Sequence, residues 1–319
     1  MNNPTLLTSS HAPYWHRGRT ITRQSYGIML AALPALIMGI SQYGMPALAV
    51  AALSVSSAMV WELLMNKLMN RPVSIGDGNA AVIGLLFAML LPAVTPWWAV
   101  LVGTLVAIVV GKQVFGGIGC NPFNPALTAL AILTLSWKGL LDFNTTLVDY
   151  DLGFSMIYPL SAIKYLGASS ATDYSFSGLL MGRQVGGIGS CFGLGLILGG
   201  VFLILRGHIR WEISISFLAG IYISAMLFNI SDAEKYAAPM FHLLTGYTLI
   251  GAFFLATEDS SSPANFIPML IYGAGAGVLT VLIRNIGAFV DGVVFAILMM
   301  NVTSPLLDRI RPKAMGKGI

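Results

Sequence analysis

The chain has 319 residues, of which 56% are hydrophobic and only 9% are charged, and its formal net charge is +4. Soluble domains carry about 25% charged residues, so this composition excludes a soluble globular protein and indicates an integral membrane protein. The modest positive charge is distributed over short loops, which reflects membrane topology rather than a nucleic-acid-binding surface.

Long apolar runs predict an all-α membrane protein with about ten transmembrane helices. The predicted spans are 25–41, 46–65, 79–94, 96–112, 125–137, 186–206, 212–229, 240–256, 265–283 and 286–304. Together they form one membrane domain over residues 25–304, and the third to fifth are short or interrupted. Residues 1–24 lack a signal-peptide cleavage site. We therefore expect a cytoplasmic N-terminal segment at 1–24 and a cytoplasmic tail at 305–319.

The basic residues predict the orientation of these spans. With the N-terminus inside, twelve lysines and arginines fall on the inner side and five on the outer side. The inner set is Arg17, Arg19, Arg23, Lys67, Arg71, Lys112, Arg206, Arg210, Arg309, Arg311, Lys313 and Lys317; the outer set is Lys138, Lys164, Arg183, Lys235 and Arg284. This bias predicts an even number of spans with both termini in the cytoplasm.

One connection, residues 138–185, is far longer than an ordinary loop. The charge count places it outside the cytoplasm. Its hydrophobic residues Phe154, Met156, Ile157 and Tyr158 predict an ordered loop that folds onto the membrane domain.

A faint internal repeat runs through the chain. The run IGLLFAMLLPAVTP at Ile83–Pro96 is echoed by LIGAFFLATEDSSSP at Leu249–Pro263, and each is followed by an apolar span and a basic residue, Lys112 or Arg284. Five spans per half predict two inverted repeats with a site at their interface. Chance similarity between apolar segments is an equally weighted alternative.

The stretch Gly111–Ala126, GKQVFGGIGCNPFNPA, lies between two apolar spans. Its glycines and prolines break the helical backbone, which cannot face lipid unpaired, so it is expected inside protein or along a polar cavity. Asn121, Phe123 and Asn124 offer two amides at fixed spacing, which suits a planar heterocycle such as an isoalloxazine, or a hydrated ion. Helix capping is the alternative. Lys112 either neutralises a phosphate or snorkels to the surface.

Other polar residues have plainer interpretations. Glu62 and Asp291 lie near predicted helix ends, where solvation is expected. Asp77 is expected to cap the third span, and His242 to be a packed residue. The glycines of residues 183–190 predict a tight turn and close helix packing rather than a dinucleotide site, because no strand precedes them.

Several motifs together resemble a known family. They read KQVFGGIGCNPFNPA, RWEISISFL, HLLTGYTLIGAFFLATEDSSSP, VLIRNIGAFVDGVVFAILMMN and PLLD. The family contains the D subunit of the Rnf electron-transport complex and, more distantly, the B subunit of the sodium-pumping NADH:quinone reductase. The resemblance is collinear over almost the whole chain. It implies a flavin-carrying subunit of an ion-translocating ferredoxin:NAD oxidoreductase in the bacterial inner membrane, with other Rnf subunits, some flavin-bearing and some iron–sulfur, as partners.

The resemblance also implies a covalent FMN, since the family esterifies a threonine of an SGATPL-like motif on the long outer loop. Here the motif reads SMIYPL, with Tyr158 in the threonine position between Ser155 and Pro159. A rival alignment uses Thr172, which is followed by Asp173 instead of proline. Because a phenol is bulkier and differently oriented, we expect FMN to be held without a covalent bond, or to be lost.

A second, non-covalent flavin within the membrane is implied for Asn121, Phe123 and Asn124, with Lys112 nearby; riboflavin is a candidate besides FMN. Such stations near opposite membrane faces would form a transmembrane electron path. Two alternatives remain: a small-solute channel or secondary transporter, which the broken helices would suit, and a scaffold subunit that has lost its flavin.

Overall fold

The computed structural model describes residues 20–310, and every regular element in that range is helical. Most of the predicted N-terminal segment 1–24 and of the predicted tail 305–319 lies outside the described residues. The same holds for five of the basic residues used in the orientation count, namely Arg17, Arg19, Arg311, Lys313 and Lys317.

The first part of the fold contains five apolar helices. They are α1 (Ile21–Tyr43), α2 (Met45–Leu68), α3 (Asn79–Leu90), α4 (Trp97–Leu105) with a π-helical continuation over Val106–Gln113, and α5 (Pro125–Ser136). Local sequence fixes their starts: the Thr20 hydroxyl caps α1, and the Asn124 side chain caps α5, where Pro125 is the first residue. Asp77 accepts a hydrogen bond from the Asn79 amide, but the N-cap of α3 is Gly78, so Asp77 lies one residue before the capping position predicted for it.

The long connection is built from short helices that pack onto the membrane domain. They are α6 (Phe143–Thr146), α7 (Pro159–Leu166) and α8 (Phe176–Leu180), with 3-10 turns at Lys138–Leu141 and Ala168–Asp173. Tyr158 belongs to the buried core, and Phe154 and Met156 pack against it, whereas Ile157 is exposed.

The second part contains the remaining helices. They are α9 (Gly193–Arg206), α10 (Trp211–Ser231), α11 (Pro239–Leu244), α12 (Thr248–Ile250) with a π-helical continuation over Gly251–Leu255, α13 (Phe266–Asn285) and α14 (Val293–Leu307). Helix α1 begins at Ile21, before the first predicted span, and α14 ends at Leu307, after the last predicted span.

Among residues 20–310, four helices, α1, α2, α10 and α13, are long and apolar enough to cross a membrane, and five shorter apolar helices accompany them. The predicted span 240–256 is not one helix, because it is interrupted between α11 and α12. The count of ten spans and the two inverted repeats stay predictions.

The short helix α3 ends inside the protein, where a glycine-rich segment covers its last carbonyl groups. The Gly189 amide donates to the Met89 carbonyl at 2.9 Å, and the Ile188 amide donates to the Leu91 carbonyl at 3.0 Å. The Tyr247 hydroxyl donates to the Leu90 carbonyl at 2.7 Å. Ile188 and Gly189 thus supply hydrogen bonds that lipid could not provide.

Backbone groups at the break between α11 and α12 form hydrogen bonds with side chains from other parts of the chain. Arg284 donates to the His242 carbonyl at 2.9 Å, and Asp291 accepts from the Tyr247 amide at 2.7 Å. Gly246 has φ +67°, and a Cβ there would collide with the Asp291 carboxylate. Arg284, in the last turn of α13, and Asp291, just before α14, therefore bond to the backbone on either side of this break.

Candidate functional site

Two cavities are lined by residues that the sequence analysis associates with a flavin. We call the first the amide cavity, after Asn121 and Asn124, which line it. Its volume is about 310 Å³. Its polar lining includes Gln24 and Ser25, and its apolar lining includes Ile83, Leu86, Phe253 and Phe254.

The two asparagines form hydrogen bonds at the N-terminus of α5. Asn124 accepts from the Leu127 amide at 3.2 Å and donates to the Leu255 carbonyl at 3.0 Å, so the predicted capping role is confirmed. Asn121 donates to the Phe123 carbonyl and to the Glu258 carboxylate, both at 3.0 Å. Burial raises the pKa of Glu258 above its ordinary value, although the hydrogen bond from Asn121 acts in the opposite direction. Capping and lining are compatible, because both asparagines also line the cavity.

We call the second the aromatic cavity; its volume is about 190 Å³. Its aromatic lining comprises Phe143, Tyr158, Tyr165, Tyr247, Phe289 and Phe295. Lys138, Asn144 and Asp291 add polar groups. The Tyr158 ring lies 4.9 Å from that of Phe143, centroid to centroid, and its amide donates to Asn144 at 2.8 Å.

Asp291 organises the wall of the aromatic cavity. One carboxylate oxygen accepts from Arg284 at 2.9 Å and from the Val293 amide at 3.1 Å. The other accepts from the Tyr247 amide, with the Tyr158 hydroxyl at 3.4 Å. The expected solvation of Asp291 at a helix end is therefore wrong: the carboxylate is buried and paired.

Helix α5 connects the two cavities. Ala126 lines the amide cavity, and Leu130 and Thr134 line the aromatic cavity. One helical turn, about 6 Å of rise, separates Ala126 from Leu130, and the two cavities share no lining residue in the described range.

Lys112 lies outside both cavities. Its ammonium group is 2.8 Å from the Glu62 carboxylate, and their side chains are 1% and 0% exposed. Glu62 also accepts from Ser74 at 2.8 Å. The expectations that Glu62 is solvated and that Lys112 snorkels are wrong, because the π-helical end of α4 packs the lysine against α2.

The other predicted site residues also lie outside the cavities. Phe123 contributes a carbonyl to Asn121 but does not line the amide cavity. Pro159 is the first residue of α7. Ser155 lies 3.4 Å from the Tyr174 hydroxyl, whereas Thr172 is exposed and donates to the Ser169 carbonyl.

Sequence reasoning missed Glu258, Tyr247 and the role of Asp291. Glu258 directly follows an apolar run, and an acidic residue at that position could have been recognised as a candidate site residue. Nothing in the sequence indicated that Tyr247 reaches α3 or that Asp291 faces the long connection, because both contacts join distant segments.

The donor sets of both cavities fit a flavin ring system. An isoalloxazine has an apolar end and an edge of carbonyl and N–H groups. The amide cavity offers apolar walls beside two side-chain amides, and the aromatic cavity offers rings for stacking.

Comparison with known proteins identifies one family. The profile of the NQR2, RnfD, RnfE family matches residues 8–316. The D subunit of the Na(+)-translocating ferredoxin:NAD(+) oxidoreductase complex of Acetobacterium woodii is 35% identical, covering 96% of this chain and 94% of that protein. The D subunit of the ion-translocating oxidoreductase complex of Escherichia fergusonii is 34% identical, covering 96% and 97%. The D subunit of the proton-translocating ferredoxin:NAD(+) oxidoreductase complex of Clostridium ljungdahlii is 32% identical, covering 95% and 94%.

Proposed function

The chain belongs to the NQR2, RnfD, RnfE family, and from this premise we propose that it is the flavin-carrying membrane subunit of an ion-translocating ferredoxin:NAD oxidoreductase. In this proposal it passes electrons between two flavin stations, coupled to proton or sodium translocation. It lies in a bacterial inner membrane with both termini in the cytoplasm. Its partners are other Rnf subunits, because ferredoxin and NAD must be served by other chains.

The observation that carries the proposal is the placement of two cavities along one helix. The amide cavity lies at the start of α5 and the aromatic cavity at its end, about one helical turn apart at their nearest lining residues. Both cavities contain residues that the family resemblance associates with flavin. This arrangement supports an electron path through the membrane domain.

Flavin supplies the redox chemistry when bound, so the protein needs only to hold and tune it. In the amide cavity Asn121 and Asn124 would orient the polar edge of the ring, and Glu258 fixes the Asn121 amide. Phe253 and Phe254 would exclude water from its faces. Lys112 would not contact the flavin, since it lines neither cavity and its charge is paired with Glu62.

In the aromatic cavity Tyr158 would contact the ring without a covalent bond. Its phenol is buried against Phe143 and directed at Asp291, so it is poorly placed to form a phosphoester. Ser155 and Pro159 flank it at the start of α7, and Thr172 lies on a neighbouring turn. FMN held here by non-covalent contacts, or riboflavin, is the proposed occupant.

Flavin extraction tests the proposal. The purified chain should show flavin absorption, and denaturation should release all of it, leaving an intact mass equal to that of the polypeptide. A mass increment of one FMN on Tyr158 or Thr172 would contradict non-covalent attachment, and a colourless chain purified from its native membrane would contradict flavin carriage.

A small-solute transporter is a second candidate, because the span between α11 and α12 is interrupted. Reconstitution into liposomes separates the two functions. A colourless chain that conducts a solute would support the transporter, whereas a yellow chain without transport activity supports the electron carrier.

A further inference from the structure

A third cavity lies on the other face of α7 from the aromatic cavity, and we call it the basic cavity. Its volume is about 100 Å³. It is lined by Lys164, Lys235, His242, Arg284 and Asn285, among others, and no aspartate or glutamate lines it within residues 20–310.

His242 is the feature that requires explanation. The side chain is 1% exposed, and neither ring nitrogen has a hydrogen-bond partner in the described part of the chain. An imidazole carries at least one N–H donor, and a buried polar group without a partner is unfavourable. The Asn285 side-chain amide nitrogen is also buried without a partner. Two donors at the wall of one cavity therefore lack an acceptor.

The charges at this cavity do not cancel. Arg284 is neutralised by Asp291 at 2.9 Å. Lys164 donates to the Gly287 and Phe289 carbonyls, both at 2.6 Å, and carbonyls do not neutralise its charge. Lys235 is exposed and lies 5.2 Å from the Tyr236 ring centroid. Neither lysine has an ion-pair partner within 4.0 Å among the residues described, so two positive charges face the cavity.

We propose that the basic cavity binds a small inorganic anion. A single negative charge would accept the free N–H groups of His242 and Asn285 and compensate the lysine charges that face the cavity. About 30 Å³ is the volume of one water in the liquid, so the cavity is large enough for a halide ion with one or two waters. Water alone would satisfy the two donors but leave the charges uncompensated.

The test measures the melting temperature of the purified full-length chain in bromide, chloride, phosphate and gluconate at constant sodium concentration and ionic strength. We expect a saturable rise with bromide and chloride that gluconate, which is too large for the cavity, does not produce. Saturation by phosphate as well would widen the anion class to oxyanions while supporting the site. Bromide X-ray absorption should report displacement of hydration water when the ion binds.

Matched variants locate the effect. Lys235→Gln changes an exposed residue, so it should fold, and it should raise the half-saturating bromide concentration at least fivefold. Asn285→Leu should do the same. The control Arg183→Gln removes an exposed positive charge that lines none of the three cavities, and it should leave half-saturation unchanged. A rise that does not saturate, or that is equal in gluconate and in all variants, would show that the cavity holds water only and would overturn the proposal.

Discussion

Two buried ion pairs are the most consequential single contacts in the described residues. Lys112 pairs with Glu62 across α4 and α2, and Arg284 pairs with Asp291 between the last two helices. Each pair lies beside an irregular segment: the first next to the π-helical end of α4, the second at the interruption after α11. A charge at this depth is tolerated only with a partner, so these pairs fix the segments around them.

Removal of Lys112 alone should destabilise the protein strongly. In Lys112→Met the Glu62 carboxylate would remain buried and unpaired, which costs about 3–5 kcal/mol of unfolding free energy. The double variant Lys112→Met, Glu62→Gln should recover most of this loss. The control Lys67→Met lies on an exposed turn of α2 and should change stability by less than about 0.5 kcal/mol. Unfolding titrations in detergent measure all three. Equal stability of the single and double variants would contradict the pairing.

Asp291 and Tyr158 should behave very differently although they touch. Asp291→Asn leaves Arg284 buried without its counter-charge and should cost about 3–5 kcal/mol. Tyr158→Phe removes one long hydrogen bond of 3.4 Å, which is worth about 0.6 kcal/mol in a membrane domain. The same unfolding titration compares them. A larger loss for Tyr158→Phe than for Asp291→Asn would show that the phenol, not the ion pair, holds the wall of the aromatic cavity.

At the scale of elements, the glycine-rich segment before α9 approaches the end of α3 more closely than residues with side chains could. Gly187 passes so close to the end of α3 that a Cβ would lie 2.7 Å from the Met89 carbonyl oxygen and 2.8 Å from that of Leu90. Those two oxygens belong to the backbone and cannot move away cheaply. The segment can cover the carbonyls of α3 because it has no side chain at this position.

Gly187→Ala should therefore disrupt the protein, while Gly139→Ala should not. At Gly139 an added Cβ would meet no atom within 4 Å. We expect a markedly lower melting temperature and loss of monodispersity for Gly187→Ala, and unchanged behaviour for Gly139→Ala. Size-exclusion chromatography with thermal unfolding provides the comparison. If Gly187→Ala melts like the control, the close approach to α3 is not important for stability.

The long helices were predictable from the sequence because their signal is local. Uninterrupted apolar runs predicted α1, α2, α10 and α13 within a few residues of their observed ends. The capping of α5 was predictable too, since Asn124 and Pro125 are adjacent. The ion pair of Lys112 with Glu62 was not, because fifty positions separate the partners and each looked like a residue at a solvated helix end. The break at residues 245–247 could not be predicted for a similar reason. The residues that bond to it, Arg284 and Asp291, lie about forty positions later in the chain.

On the scale of the whole molecule, the amide cavity and the aromatic cavity are lined by different parts of the fold. The amide cavity is built by the beginnings of α1, α3 and α5 with the π-helical end of α12. The aromatic cavity is built by the end of α5, the long connection and the beginning of α14. Of the helices in residues 20–310, only α5 lines both cavities. Changes in one cavity should therefore leave the other largely intact, since sites without shared partners are close to additive.

This separation predicts the flavin content of variants under the proposed function. Asn121→Leu removes a side-chain amide from the lining of the amide cavity and should lose about half of the extractable flavin. Thr134→Trp places a large ring in the aromatic cavity and should lose the other half, and the double variant should be colourless. The control Asn229→Leu also removes an asparagine that donates to a backbone carbonyl, that of Tyr236, but lines neither cavity. It should keep its full flavin content. Flavin-to-protein ratios after denaturation measure the outcome. Loss of all flavin from either single variant would mean that the two cavities act as one site, and full retention in both would place the flavin elsewhere.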